Sequence, residues 1–432
     1  MESLLHYIWK HRMLPVGELR TSDGQEVEII DTGLANRSAG PDFFNSKLRI
    51  GGVMWVGNVE IHTKSSDWYA HGHDKDHHYD NVVLHVASEI DTDVRTCDGK
   101  LLPQLRIVVP QGVEENYAML LNEDRYPPCY RAIPTIPSLS MHSWMSALLT
   151  ERLENKTVAV EERLKRYSGS WEDTYFVTLS RNFGFGVNGE AFETWAESIQ
   201  LMSVGHHRDD IFQIEAFFMG QAGLLDAHSM PDRHKKRAMA DDYFNKLAAE
   251  YTYLAHKFRL THIDPGLWKL LRLRPQNFPY IRLSQLANMY YKRRTAFADL
   301  LDCCEVKDVE KLFSTNVTEY WKTHYMFGEE CRKSDKNLSA SSKRLLIVNT
   351  AVPMLFAYGK NIGDDSLCER ALRFMEQIKA ENNHIVRMWK ECGMDVRDAG
   401  DSQALIELKK VYCDRKDCLR CRIGYEYLKI RR

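Results

Sequence analysis

The chain has 432 residues, room for two or three domains at roughly 150 residues each. Hydrophobic residues make up 44%, charged residues 27% and aromatics 11%, which excludes a disordered or fibrous chain. The formal net charge of −2 excludes a uniformly basic nucleic-acid binder, but it is unevenly spread: residues 1–120 carry 11 Lys/Arg against 18 Asp/Glu, and the remainder 47 against 42.

Histidine is skewed the same way, with 8 of the 17 in the first 120 residues. The longest strongly apolar stretch, 345–358, is broken by Asn349, Thr350 and Pro353. It falls short of the roughly 18–20 residues a membrane span needs. The opening MESLLHYIWK shows no basic patch followed by an apolar run. A cytoplasmic protein with no membrane partner is expected.

In chain order, Leu4, Leu5, Ile8, Trp9 and Met13 form one stripe of a short amphipathic helix. Strands are expected at 27–31, 43–50, 53–64, 82–87 and 105–109, with Gly51-Gly52 turning a hairpin between the second and third. A short helical segment near 76–81 separates the third and fourth. Prolines 127, 128, 134 and 137 then mark a linker over 126–139 between an α/β domain, 1–125, and a helical domain, 140–432. Helices are expected at 144–167, 183–203, 211–225, 237–258, 283–301, 343–358, 368–392 and 402–412, with a polar loop at 331–344. The fold class is therefore α+β: a small mixed sheet with flanking helices, then a large all-α domain.

The densest chemical text lies between residues 40 and 86. Alternation along 53–64 puts Val53, Trp55, Val59 and Ile61 on a core face and Glu60, His62 and Lys64 on the other. Folding the hairpin brings Asp42 toward Glu60. Two carboxylates and a strand carbonyl such as that of Ile61 suit Mg²⁺ or Mn²⁺, which can polarise a phosphate and activate water. His62 or Lys64 could position that water. His71, His73 and His85 are further candidates around the same hairpin, and a zinc or manganese hydrolase for another substrate stays open. His77 and His78 read as a solvated turn, and Trp68 as a packing anchor.

The opening helix, the hairpin, Pro41-Asp42 and Glu60-x-His62 resemble the PD-(D/E)XK nuclease superfamily over roughly residues 1–115. The resemblance implies a restriction-endonuclease-like fold, metal ligands at Asp42 and Glu60, and hydrolysis of DNA or RNA phosphodiesters. The motif lysine position is His62 here, with Lys64 two residues on as a stand-in. An inactive nucleic-acid-binding or scaffold protein on that fold is the alternative, and Glu2 and Glu18 are weak candidates for the superfamily's further acid. Over nearly the whole chain, GPDFFNSK, VGNVEIHTKSSDWYAHGH, NVVLHV, DSQALIELK and CLRCRIG resemble an uncharacterised bacterial family, domain of unknown function 2851.

Two other clusters stand out. Cys413, Cys418 and Cys421 form C-x4-C-x2-C, a candidate zinc or iron–sulfur site with Cys392 as fourth ligand. The other cysteines read as small buried hydrophobes. Arg272, Arg274 and Arg282, interleaved with Phe278 and Tyr280, could grip phosphates and stack bases of a nucleic acid.

Overall fold

A computed structural model describes residues 2–14, 18–36 and 38–430. The chain divides into two compact units: residues 1–141, 391–394 and 408–432, and residues 142–390 and 395–407. The second unit therefore ends before the C-terminus. The tail 408–432 belongs to the first unit, although the sequence reading placed it with the helical domain.

The first unit opens with α1 (Glu2–Lys10), which buries Leu4, Leu5, Tyr7, Ile8 and Trp9. Seven strands follow: β1 (Leu19–Arg20), β2 (Glu26–Asp31), β3 (Leu34–Ala35), β4 (Phe43–Ile50), β5 (Val53–Lys64), β6 (Val82–Glu89) and β7 (Gln104–Arg106). The sheet order is β1-β2-β4-β5-β6-β7, with β3 also paired to β4. Pairing is antiparallel as far as β5, then parallel for β5–β6 and β6–β7. The two edges meet through a Thr21–Leu105 bridge, with Ser22 N–H donating to the Gln104 carbonyl at 2.8 Å. Helix α2 (Asp67–Ala70) and the turns 73–75 and 77–79 fill the β5–β6 connection.

The β4–β5 hairpin has the expected ends, and Gly51 and Gly52 take the positive φ values of 56° and 83° that its turn requires. Its burial differs from expectation. Val59 and Ile61 are fully buried, but Val53 and Trp55 are exposed, because the turn end of the hairpin extends past the packed part of the sheet. The opposite face is not open either: Glu60 and His62 are both buried.

Helix α3 (Gln111–Asn122) anchors the C-terminal tail. Its buried Asn116 donates to the carbonyls of Tyr427, Leu428 and Ile430 at 3.0–3.4 Å.

The second unit is largely helical, with one two-stranded ribbon, His324–Met326 against Glu329–Glu330. Its centre is the helix Ile211–Gln221, packed on Asp242–Phe258 and Pro279–Tyr291. Asp210 caps the first of these through the N–H groups of Phe212 and Gln213. Asp241 caps the second, which splits the expected 237–258 helix into Asp232–Met239 and Asp242–Phe258. The expected 368–392 helix likewise becomes Asp365–Gln377 and His384–Glu391.

The apolar 345–358 stretch lies in a longer helix, Ala340–Ile362, of 23 residues. Pro353 does not end it, because residues 347–351 widen into a π turn. The Asn349 carbonyl that Pro353 cannot serve accepts from Asn182 Nδ2 at 2.9 Å instead. By length and composition this helix could cross a membrane, but two thirds of its most apolar window is buried within the protein. Its side chains from Leu346 to Ala357, apart from the half-buried Asn349, serve as core.

Candidate metal centre

The centre of the first unit is a reciprocal cross-strand link. Glu60 Oε2 accepts the backbone N–H of Asp42 at 2.9 Å, and Asp42 Oδ2 accepts that of Ile61 at 3.0 Å. Each carboxylate is thus fixed by the other's strand. Helix α1 adds His6, whose Nε2 stands 3.2 Å from Asp42 Oδ2 and 3.4 Å from the Ile61 carbonyl. The stripe that buries Leu5 and Trp9 sets the orientation of this helix, and Trp9 Nε1 ties it to the Thr32 carbonyl.

Glu60 spends Oε2 on the backbone and turns Oε1 toward imidazoles. Oε1 lies 3.3 Å from His73 Nε2 and 3.6 Å from His62 Nε2. His71 Nδ1 approaches His62 Nε2 at 3.2 Å. One ligand atom from each of His62, His71 and His73 lies within 4.8 Å of the others, the spacing that a single metal ion requires.

Local chain geometry brings the last two together. Asp67 accepts the Lys64 N–H at 2.9 Å to start α2, and Asp91 ties down Ser65 and Ser66. Gly72 then reverses the chain at φ 77°, so His71 and His73 return to the same cluster. Tyr79 stacks on His73 with centroids 3.8 Å apart, and the fully buried Trp68 touches His62, His73 and His85 edge-on. Trp68 is the packing anchor of the site.

His85 lies behind His62, with its Nε2 2.9 Å from His62 Nδ1. If His62 Nδ1 carries the proton and His85 Nε2 accepts it, the His62 Nε2 lone pair faces His71 and Glu60. That is how a neighbouring acceptor sets up a metal-binding imidazole.

Electrostatics suits a cation here. Burial first, then the neighbouring imidazoles of His85, His73 and His71, push His62 down to about 2, so it stays neutral. Burial also lowers His85 to about 4, against the opposing effect of Gln104. Glu60 is raised by burial and by Asp42, partly offset by His73. Burial opposes protonation of His6, but its hydrogen bond and charge interaction with Asp42 outweigh it, so His6 is raised. Two adjacent carboxylates, one deeply buried, beside the lowered imidazoles of His62 and His85 offer donors and negative charge that a divalent ion would offset.

Other candidates fall elsewhere. Lys64 pairs with Glu89 at 3.1 Å at the exposed end of β5 and β6, and the acids acting on it are Glu89, Asp91 and Asp67 rather than Asp42 or Glu60. It does not replace a motif lysine. His77 and His78 pair with Asp80 and Asp76 on the surface.

In the second unit, Arg282 is buried in the helix Pro279–Tyr291. It donates to Gln285 Oε1 at 2.8 Å and Asn277 Oδ1 at 2.6 Å, over the Phe185 ring. It is a core residue, not a surface contact for nucleic acid, and Tyr280 is buried against Trp321. Arg272 and Arg274 are exposed.

The terminal cysteines also differ from expectation. Cys413, Cys418 and Cys421 line one small cavity with Cys129, and Cys392 is not among its lining residues. Of the residues gathered in these two clusters, His6 and Cys129 are the ones that sequence reasoning missed. His6 offered only one polar residue on a helix, and Cys129 lay in the proline-rich segment far from the other cysteines.

The first unit is thus a mixed sheet carrying a histidine–carboxylate cluster at the β4–β5–β6 junction. The chain matches the family described as "Protein of unknown function (DUF2851)" over residues 2–384, and it belongs to that family. Neither the curated proteins nor the solved structures include a match.

Proposed function

We propose that the first unit is a divalent-metal-dependent phosphodiesterase acting on DNA or RNA. One observation carries this reading: Asp42 and Glu60, locked to each other's strands, sit beside three imidazoles gathered within 4.8 Å. A helix, an antiparallel hairpin bearing the two acids and a following parallel strand also suit a PD-(D/E)XK-type arrangement. In it, His6 would take the place on the first helix for which Glu2 and Glu18 were the sequence candidates.

The donor set is richer in nitrogen than the sequence alone suggested. Mn²⁺ or Zn²⁺ therefore fits better than Mg²⁺, which prefers oxygen. His62, His71 and His73 would hold the ion, with Glu60 supplying negative charge. The ion would polarise the phosphate and lower the pKa of the attacking water. His6 stands by the Ile61 carbonyl and Asp42 holds the Ile61 N–H, next to Glu60.

The test uses protein stripped of metal with a chelator, then given Mn²⁺, Zn²⁺ or Mg²⁺ with labelled DNA and RNA. Cleavage is expected with Mn²⁺. Asp42→Asn, which keeps an acceptor for the Ile61 N–H but loses the charge, should slow it about 10- to 100-fold. Wild-type protein that cleaves neither nucleic acid with any of the three ions overturns the reading.

A second reading has its own support. Both ring nitrogens of His62 face protein partners, so nothing supplies the ammonium of the motif lysine, and a binder without turnover would fit. It predicts retention of nucleic acid without cleavage.

His85 provides a further check on the centre as a positioning residue. His85→Phe removes the acceptor behind His62 and should weaken Mn²⁺ or Zn²⁺ affinity about 10- to 100-fold, with the melting temperature of the metal-free protein little changed. Unchanged affinity would mean that His85 is only packing.

A further inference from the structure

Four cysteines come together in the first unit, far from the histidine cluster in sequence. Cys129, Cys413, Cys418 and Cys421 all line one cavity, together with Leu120, Pro128, Tyr412, Lys416 and Gly424. The cavity is small, about 20 Å³, and most of its wall is apolar or sulfur. Cys129 and Cys421 are buried and the other two half-buried. All ten cysteines of the chain are free thiols, so no disulfide accounts for the gathering. Four small hydrophobes would not need to be cysteine.

The backbone around the thiols is specifically shaped. The widened turn 408–413 ends on Cys413, the tight turn 418–420 begins on Cys418, and Cys421 caps the helix Arg422–Leu428. The backbone groups of Ile423 and Gly424 hydrogen-bond the Cys421 sulfur and favour its thiolate, against the dominant effect of burial. A Cβ on Gly424 would sit 2.1 Å from the Cys418 carbonyl oxygen, so only glycine lets the helix start so close to the turn.

We infer that Cys129, Cys413, Cys418 and Cys421 are the four ligands of an iron–sulfur cluster. Four thiolates in an apolar pocket are the donor set of such clusters and of closed zinc sites. Spacing separates the two. Around one zinc ion, with Zn–S about 2.3 Å, tetrahedral sulfurs stand under about 4 Å apart. Among the described residues, the one group of three ligand atoms within 4.8 Å of one another is His62, His71 and His73. No three of the four sulfurs are gathered that closely, which favours a multi-iron core over a single zinc ion. The cluster would pin the C-terminal tail to the proline-rich segment that carries Cys129. It does not depend on the phosphodiesterase reading.

The test is anaerobic purification of the full chain, followed by reconstitution with ferrous iron and sulfide. Iron, acid-labile sulfide and zinc are then measured beside visible absorbance. Wild type should carry iron and sulfide in equal amounts with a brown charge-transfer band. Cys129→Ser and Cys418→Ser should lose most of both, and Cys392→Ser should keep both. Iron-free wild type overturns the inference, as does about one zinc per chain without sulfide. Full retention of the cluster by Cys129→Ser overturns the assignment of the fourth ligand. The wild-type readout decides the case even if a variant fails to fold.

Discussion

Replacing Glu60 by Gln is expected to cut metal-dependent phosphodiester cleavage by about 10³-fold or more. Glu60 is the acid in contact with the imidazole group, through His73 and His62. A neutral imidazole ligand brings no negative charge, so without Glu60 a dication would enter the site with Asp42 as the remaining carboxylate of the linked pair. A metal ion supplies several kcal/mol of transition-state stabilisation, and each 1.36 kcal/mol is a factor of ten in rate. Glutamine keeps an acceptor for the Asp42 N–H, so the strand link survives and the loss is chemical. Metal titration separates the causes. Wild type should gain about 2.7 kcal/mol of stability when the ion is at 100 times its dissociation constant; Glu60→Gln should gain little. Its metal-free melting temperature should equal or exceed that of wild type, because a costly buried carboxylate has gone. A variant that retains activity within tenfold removes Glu60 from the chemistry.

The same site shows how far the sequence could be read. The ends of the β4–β5 hairpin were legible, because β-branched alternation and Gly51-Gly52 are local signals. The Asp42–Glu60 proximity followed from hairpin register alone. Alternation could not tell which half of the hairpin lies over the core, so Val53 and Trp55 were placed inside although they are exposed. Lys64 continues the row of Glu60 and His62 in sequence, yet it ends at the sheet margin, where Glu89 holds it. His6 and Cys129 were not legible as members of their clusters. Each depends on a non-local contact, between α1 and β5 for one and between the proline-rich segment and the C-terminal tail for the other.

Helix boundaries failed where capping or a π turn prevailed over periodicity, at Asp241 and around Pro353. Arg282 shows the limit of composition most clearly. A run of arginines with aromatics reads as a phosphate grip, but the helix Pro279–Tyr291 is buried from Pro279 to Tyr290, and its arginine is taken inside with Gln285 and Asn277 as acceptors.

Glu407→Ala should destabilise the second unit by about 3–5 kcal/mol, the usual cost of breaking a buried ion pair from one side. Glu407 is 2% exposed. Its Oε2 accepts from Arg152 Nη1 at 2.9 Å and its Oε1 from Asn155 Nδ2 at 2.6 Å. Arg152 Nε also reaches Gln403 Oε1 at 2.5 Å, and Lys156 shares that oxygen at 3.2 Å. Glu407 therefore balances the Arg152 guanidinium and holds the Asn155 amide, both projecting from one helix. Alanine takes the carboxylate away from a largely buried guanidinium, which keeps Gln403 Oε1 as an acceptor; the Asn155 amide, on an exposed residue, can turn to water. In a unit of this size the cost is a fall of about 6–20 °C in melting temperature. The double variant Arg152→Met with Glu407→Leu removes both charges and should recover most of the loss, because a paired buried charge contributes little beyond an apolar pair of similar volume. Denaturant unfolding of wild type, Arg152→Met, Glu407→Leu and the double variant closes the cycle. A loss under about 1 kcal/mol for Glu407→Ala would show that Arg152 finds water at its exposed edge, as surface pairs do. A double variant no more stable than the single one would show that Glu407 acts through Asn155 and Gln403, the neutral members of the network.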